Sequence, residues 1–122
     1  RMTVDLVLDA LENAVQAQNP APGLILHTDL GTQYTSEDFR ERLVQHGITP
    51  SYSRKGCPYD NACIESFHAT LKKEEVYRTR YANFEAARIA LFRYIEGWYK
   101  RIHGSIGYLS PDAFEKMCRA AA

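Results

Sequence analysis

Val7, Leu11, Ala14 and Val15 recur at steps of three or four, the spacing that lines one face of a helix. They predict a first helix that ends near Asn19, ahead of Pro20 and Pro22. Thr3 suits its cap, Asp5 puts a negative charge in its first turn, and Met2 can staple onto Val7. The pattern changes after Gly23. Leu24-Ile25-Leu26-His27-Thr28-Asp29 is a short run, apolar at its start, closed by a carboxylate and stopped by Gly31. Such a run between helical segments predicts an interior strand of an α/β layer structure. Alternation puts Ile25, His27 and Asp29 on one side of the pleat and Leu24, Leu26 and Thr28 on the other.

A second helix is predicted with Thr35 or Ser36 as cap, Phe39 and Leu43 as packing positions and Gly47 as its end. Ile48 to Ser53 is the next strand candidate, and Pro50, which has no amide to donate, suits an edge position. Arg54 to Tyr59 reads as loop. A third helix, capped by Asp60 or Asn61, runs to Tyr77 on Ala62, Ile64, Phe67 and Leu71. A fourth spans Asn83 to Trp98 on Phe84, Ala87, Leu91 and Ile95. Ser110-Pro111 opens a last helix, with Leu109 placed to staple onto Phe114. The order predicts an α/β fold with extra helices at its C-terminal end. Two strands alone leave backbone edges unpaired, so the pattern expects further strands or a partner to cover them.

Length and composition place the 122 residues within the range of one globular domain, without repeats or an internal linker. No run of about 18 apolar residues exists, and the start has no basic region followed by an apolar stretch. A membrane span and a secretion signal are therefore not expected, and the cytoplasm is the default location. Cys57, Cys63 and Cys118 fit no disulfide framework and read as free thiols. The formal net charge is zero, which argues against an overall basic coat. The halves differ, however: residues 1–50 hold three Arg against seven acids, and residues 51–122 hold twelve basic residues against eight acids. The positive side chains share a half with Glu65, where a phosphate backbone could use them.

Two acids stand out by position. Asp29 closes its strand at the carboxyl end, from which α/β proteins present functional groups. Asn61, Glu65, His68 and Lys72 are spaced by four, three and four and form one polar stripe on a helix. Two carboxylates brought together repel unless a cation lies between them, and magnesium takes carboxylate and phosphate oxygens. The plainer readings stand beside these. Asp29 can be a turn residue bonding ahead of Gly31, Glu65 a solvated helix residue, Asn61 a cap and His27 a packed strand residue. His68 can be a surface histidine, and Arg54, Lys55, Lys72 and Lys73 can be ordinary solvated charges. Turn geometry suffices to explain Gly31 and Gly56.

The words around these acids narrow the choice. His27-Thr28-Asp29-Leu30-Gly31-Thr32-Gln33-Tyr34-Thr35-Ser36 resembles the second-carboxylate motif of the DDE transposases of the IS3 family, bacterial relatives of retroviral integrases. Ser53-Arg54-Lys55-Gly56-Cys57-Pro58-Tyr59-Asp60-Asn61-Ala62-Cys63-Ile64-Glu65-Ser66-Phe67 resembles that family's stretch around the catalytic glutamate, and Leu71-Lys72-Lys73-Glu74 continues it. The 35 residues between Asp29 and Glu65, positions 30 to 64, match the family's spacing. Tyr94-Ile95-Glu96 and Tyr108-Leu109-Ser110-Pro111 are similar to its C-terminal portion.

The resemblance implies a ribonuclease-H-like integrase core, acting on DNA by metal-dependent phosphodiester cleavage and strand transfer. It makes Asp29 and Glu65 the catalytic and metal-holding carboxylates for magnesium or manganese. Asn61, His27 and His68 become supporting residues, and Lys72, Lys73, Arg54 and Lys55 become DNA contacts. His103 resembles a histidine after the last long helix, although Lys100-Arg101-Ile102-His103 is shorter than the usual loop. The front departs further. The family's first catalytic aspartate lies on a strand upstream of this helix, and Asp5 and Asp9 fall within the predicted helix. The expectation is therefore an N-terminally truncated core, 1–122, inactive as an isolated fragment and self-associating through its unpaired strand or apolar faces. A non-catalytic DNA-binding or regulatory fragment and a vestigial structural remnant are the alternatives.

Overall fold

The computed structural model describes residues 3–99 and 110–121, which form two compact units divided between Ser66 and Phe67. In the first unit, helix α1 (Val4–Gln18) starts where Thr3 Oγ1 accepts the Leu6 amide and stops where Asn19 turns left-handed, with φ 43°. Strand β1 (Ile25–Thr28) follows. A short helix α2 (Thr32–Thr35) and helix α3 (Glu37–Gln45) then carry the chain to strand β2 (Thr49–Tyr52). Ser36 caps α3 by accepting the Phe39 amide, and Gly47 ends the turn after it with φ 67°. The two strands pair in parallel, Ile25 beside Thr49 and Thr28 beside Tyr52, so α2 and α3 form the crossover that parallel pairing requires.

The core of this unit is Val7 and Leu11 from α1, Phe39 and Leu43 from α3, and Ile48 ahead of β2, with Leu8, Val15, Leu26 and Tyr34 packed around it. Tyr34 meets Phe39 edge to face, with ring centroids 5.6 Å apart. Glu12 on α1 accepts from Arg42 at 2.7 Å and pairs with His46 at 2.8 Å, tying α1 to α3 at the rim of the core. Arg42 first and His46 second hold the Glu12 carboxyl below the usual range.

The alternation expected for β1 holds: Leu26 and Thr28 are half-buried while Ile25 and His27 face solvent. An interior strand is not what these residues show, because Ile25 is 66 % exposed. Pro50 sits as expected of an edge. The Thr49 and Ser53 amides donate to Leu24 and Thr28 of β1, so the alternate position, Pro50, falls where no donor to β1 is needed. Helix α2 was not expected. It is a single turn, built on the Gly31 carbonyl accepting the Tyr34 and Thr35 amides, too short to leave a periodic signature.

Beyond a 3-10 turn at Pro58–Asn61, helix α4 (Ala62–Glu74) runs from the first unit into the second. It was expected to reach Tyr77, but Glu75 leaves helical geometry at φ −120° and a 3-10 turn covers Val76–Arg78. Tyr81 donates to Glu75 Oε1 at 3.1 Å, and burial first, then that bond, raises the tyrosine's pKa. Helix α5 (Phe84–Tyr99) is capped by Asn83, whose Oδ1 accepts the Ala86 amide at 2.8 Å. Tyr94 on α5 reaches Glu74 Oε2 at 2.6 Å. Helix α6 (Pro111–Ala121) begins as the Ser-Pro pair predicts, with Ser110 Oγ accepting the Ala113 amide. The staples proposed for Met2 and Leu109, and His103, lie outside the described residues. Cys57, Cys63 and Cys118 are free thiols. No helix among the described residues is long and apolar enough to cross a membrane.

Candidate active site

Asp29 is the residue after β1, exposed at the strand's carboxyl end. Its Oδ1 accepts the Gly31 amide at 2.7 Å, the bond expected of the plainer turn role. Gly31 itself has φ −55° and ψ 142°, a conformation open to any residue, so turn geometry does not explain it. Close approach does: a Cβ there would stand 2.8 Å from both Asp29 Oδ1 and Gln33 Nε2. Gly31→Ala is accordingly expected to keep the fold and displace the Asp29 carboxylate. Thermal melts beside carboxyl-carbon NMR of Asp29 check this, and an unmoved Asp29 signal would refute it.

His27 does not point a nitrogen at an open site. Its Nδ1 lies 2.9 Å from Ser51 Oγ and its Nε2 lies 3.0 Å from Ser53 Oγ, so both ring nitrogens are engaged by hydroxyls of β2 and the residue after it. Ser53 is 8 % exposed, the buried polar residue among the described residues of this unit, and its hydroxyl is satisfied by His27. Neither serine was singled out from the sequence, because strand pairing alone makes them neighbours of His27: Ser51 is its register partner.

Arg54 follows directly. Its amide and Nε each donate to Asp60 Oδ2 at 2.9 Å, and its Nη2 donates to Oδ1 at 3.1 Å. The guanidinium expected to be a free cation for DNA is held within its own loop. The side-chain bond from Arg54, then its amide bond, brings the Asp60 carboxyl from 3.8 to about 2. A depressed acid contributes stability that is complete above its unfolded pKa and lost as pH falls through the folded one. This loop should thus hold to about pH 4 and open towards pH 2. Carboxyl-carbon NMR should place the Asp60 midpoint near 2, and a midpoint close to 3.8 would contradict the pairing.

Glu65 stands in the first turn of α4, exposed, and among the described residues it makes no hydrogen bond or ion pair. Asn61 ends the 3-10 turn before it, half-buried. Lys55 is exposed in the loop. His68, Lys72 and Lys73 lie farther along α4 in the second unit, all exposed, and among the described residues the two lysines make no ion pair.

Among the described residues no group of three or more His, Cys, Asp or Glu side chains is placed to hold a metal. Carboxylates such as Asp29 and Glu65 are the residue type a hard divalent cation takes, since magnesium commonly binds one or two from the protein and completes its shell with water and substrate phosphates.

Two matches identify the family of the chain. Residues 1–58 and residues 46–111 each match the family described as the integrase core domain, the second over more than half of the chain. The chain belongs to the integrase core domain family. It is 46 % identical over 118 residues to the transposase for insertion sequence element IS904 of Lactococcus lactis, covering 95 % of this chain and 47 % of the relative. It is 43 % identical over 117 residues to the transposase InsF for insertion sequence IS3A of Escherichia coli, covering 94 % of this chain and 41 % of the relative. This integrase core thus spans less than half the length of these two relatives. A chain of the simian T-cell lymphotropic virus intasome, solved with the PP2A regulatory subunit B56 gamma, shares the fold. The TM-score is 0.60 at 20 % identity, over 75 % of this chain and 34 % of that one. The α/β integrase-core fold and the insertion-sequence transposase resemblance read from the motifs are both borne out.

Proposed function

We propose that this integrase core contributes the second and third metal-holding carboxylates, Asp29 and Glu65, to an enzyme that cuts DNA and joins strands. The observation that supports the reading is positional: the two acids that the sequence resemblance singles out are exposed, one at the carboxyl end of β1 and one in the first turn of α4, within one compact unit. A divalent magnesium or manganese ion held there would supply Lewis-acid polarisation of the phosphodiester. The chain's own residues do the rest. Gly31 gives the Asp29 carboxylate room and an amide. His27 pins β1 to β2. Lys55, Lys72 and Lys73 offer charge to phosphates.

Strand joining by the whole enzyme to which this chain contributes, read as transfer of a labelled linear duplex into supercoiled plasmid, should require magnesium or manganese and stop on chelation. Joining that persists in chelator would overturn the reading. Salt-sensitive DNA binding without joining, retained after both acids are replaced, is the outcome for a non-catalytic DNA-binding fragment. Exposed Leu24, Ile25 and Leu30 beside β1 favour self-association as a second property. Light scattering of the purified chain should then give more than the monomer's 13.9 kDa.

A further inference from the structure

Between the end of β2 and the start of α4 the chain closes a small ring of hydrogen bonds. The Cys57 amide donates to the Arg54 carbonyl at 3.1 Å, and the Asp60 amide donates to the Cys57 carbonyl at 3.1 Å. The Asp60 carboxylate then returns to the Arg54 amide at 2.9 Å and takes the Arg54 guanidinium on both of its oxygens. At one end the ring is anchored in the sheet, because the Ser53 amide donates to the Thr28 carbonyl and the Ser53 hydroxyl is held by His27. At the other end it runs into the 3-10 turn Pro58–Asn61 and so into α4, whose first turn carries Glu65.

We propose that Asp60 is a positioning residue for the candidate site: by gripping both the backbone and the side chain of Arg54, it fixes the launch of α4 relative to the β1–β2 sheet and so sets where Glu65 is carried. This rests on Glu65 being a metal-holding residue. A carboxylate that holds only a guanidinium constrains a distance between two flexible side chains. One that also accepts the backbone amide constrains the path of the main chain, which a surface ion pair does not do. The exposures fit this division, since the Asp60 side chain is 21 % exposed while the Arg54 side chain is 76 % exposed. Two fork bonds add geometric definition beyond charge alone. The depressed Asp60 acidity agrees with the geometry. Gly56, at φ 74°, supplies the left-handed step that lets so short a loop turn back on itself.

The competing assignment is that Arg54 contacts a DNA phosphate and Asp60 merely parks it. The two make opposite forecasts for Asp60→Ala. As a positioning residue, its loss lowers the joining rate about 10- to 100-fold with KM for DNA unchanged, the scale seen when a group that orients a metal-holding residue is removed. As a parking place, its loss frees a cation and tightens DNA binding. Arg54→Ala keeps the amide bond to Asp60, so it should cost less rate than Asp60→Ala. It should also leave the salt dependence of DNA binding unchanged, whereas loss of a phosphate contact would reduce the slope by about 0.9.

The deciding measurement needs no activity. Amide hydrogen exchange of the full chain in Asp60→Ala and Asp60→Asn should show faster exchange at Arg54 and in the first turn of α4, with β1, β2 and α1 unchanged. Asp60→Asn keeps one acceptor and should lie between Asp60→Ala and the parent; it also serves if Asp60→Ala does not fold. Unchanged protection around Glu65 in these variants overturns the proposal. Joining at the parent rate by the whole enzyme carrying Glu65→Gln would instead defeat the reading of Glu65, while the exchange result still reports on the clasp.

Discussion

Asp29→Asn and Glu65→Gln are each expected to lower metal-dependent strand joining by about 1,000-fold or more, because a metal-holding carboxylate underlies several kcal/mol of transition-state stabilisation and each 1.36 kcal/mol is tenfold. The fold should survive both changes. Asparagine at position 29 keeps an oxygen for the Gly31 amide, and Glu65 makes no bond among the described residues that packing depends on. DNA affinity should be retained or rise slightly, since each change removes a negative charge where phosphates would lie. The comparison is a joining assay beside a binding isotherm on the same preparations. Either variant keeping more than about a tenth of the parent rate, a loss below 1.4 kcal/mol, would remove its acid from the site.

The largest stability effect should come from Leu43→Ala. Leu43 is 1 % exposed and lies on α3 among Val7, Leu11, Phe39 and Ile48, so truncation leaves a cavity that four neighbours from three chain segments must collapse into. The cost should be about 3 kcal/mol, within the range for buried leucines. For a domain of this size that is roughly 10 °C in Tm. Val44, the next residue, is 76 % exposed, and Val44→Ala should stay within about 0.5 kcal/mol. Thermal melts of the pair decide the matter: equal midpoints would mean that the core does not sit where α1 and α3 meet.

Much of this molecule can be read from short stretches of chain. The caps at Thr3 and Ser110 are legible, and that at Ser36 as one of two choices with Thr35, because a cap and the amide it accepts lie three residues apart, whereas Asn83 reads only as the start of its helix. The faces of α1 and α3 were legible from periodicity, and the exposed and inward sides of β1 from alternation. The family was legible from the words around Asp29 and Glu65. Less visible was whatever is one turn long or depends on a break in regularity, such as α2 and the end of α4 at Glu74. Nor could exposure of Ile25 be read, since an apolar run looks the same whether or not a neighbour covers it.

By itself, then, the sequence determined the order of the longer elements, the caps at Thr3 and Ser110, the position of two acids at a strand end and a helix start, and membership of the integrase core family. Tertiary structure alone decided which side chains hold those elements to one another. His27 meets Ser51 and Ser53, 24 and 26 residues away, and Glu12 meets Arg42 and His46, 30 and 34 residues away, because parallel pairing and helix packing bring them there. It also decided that a side chain at position 31 would crowd the Asp29 carboxylate, and that the Arg54 guanidinium is held by Asp60. The physical reason is range. Caps, periodicity and motif spacing are local in the chain, whereas a charged or polar side chain with several possible partners takes its role from whichever one the fold places within about 3 Å of it.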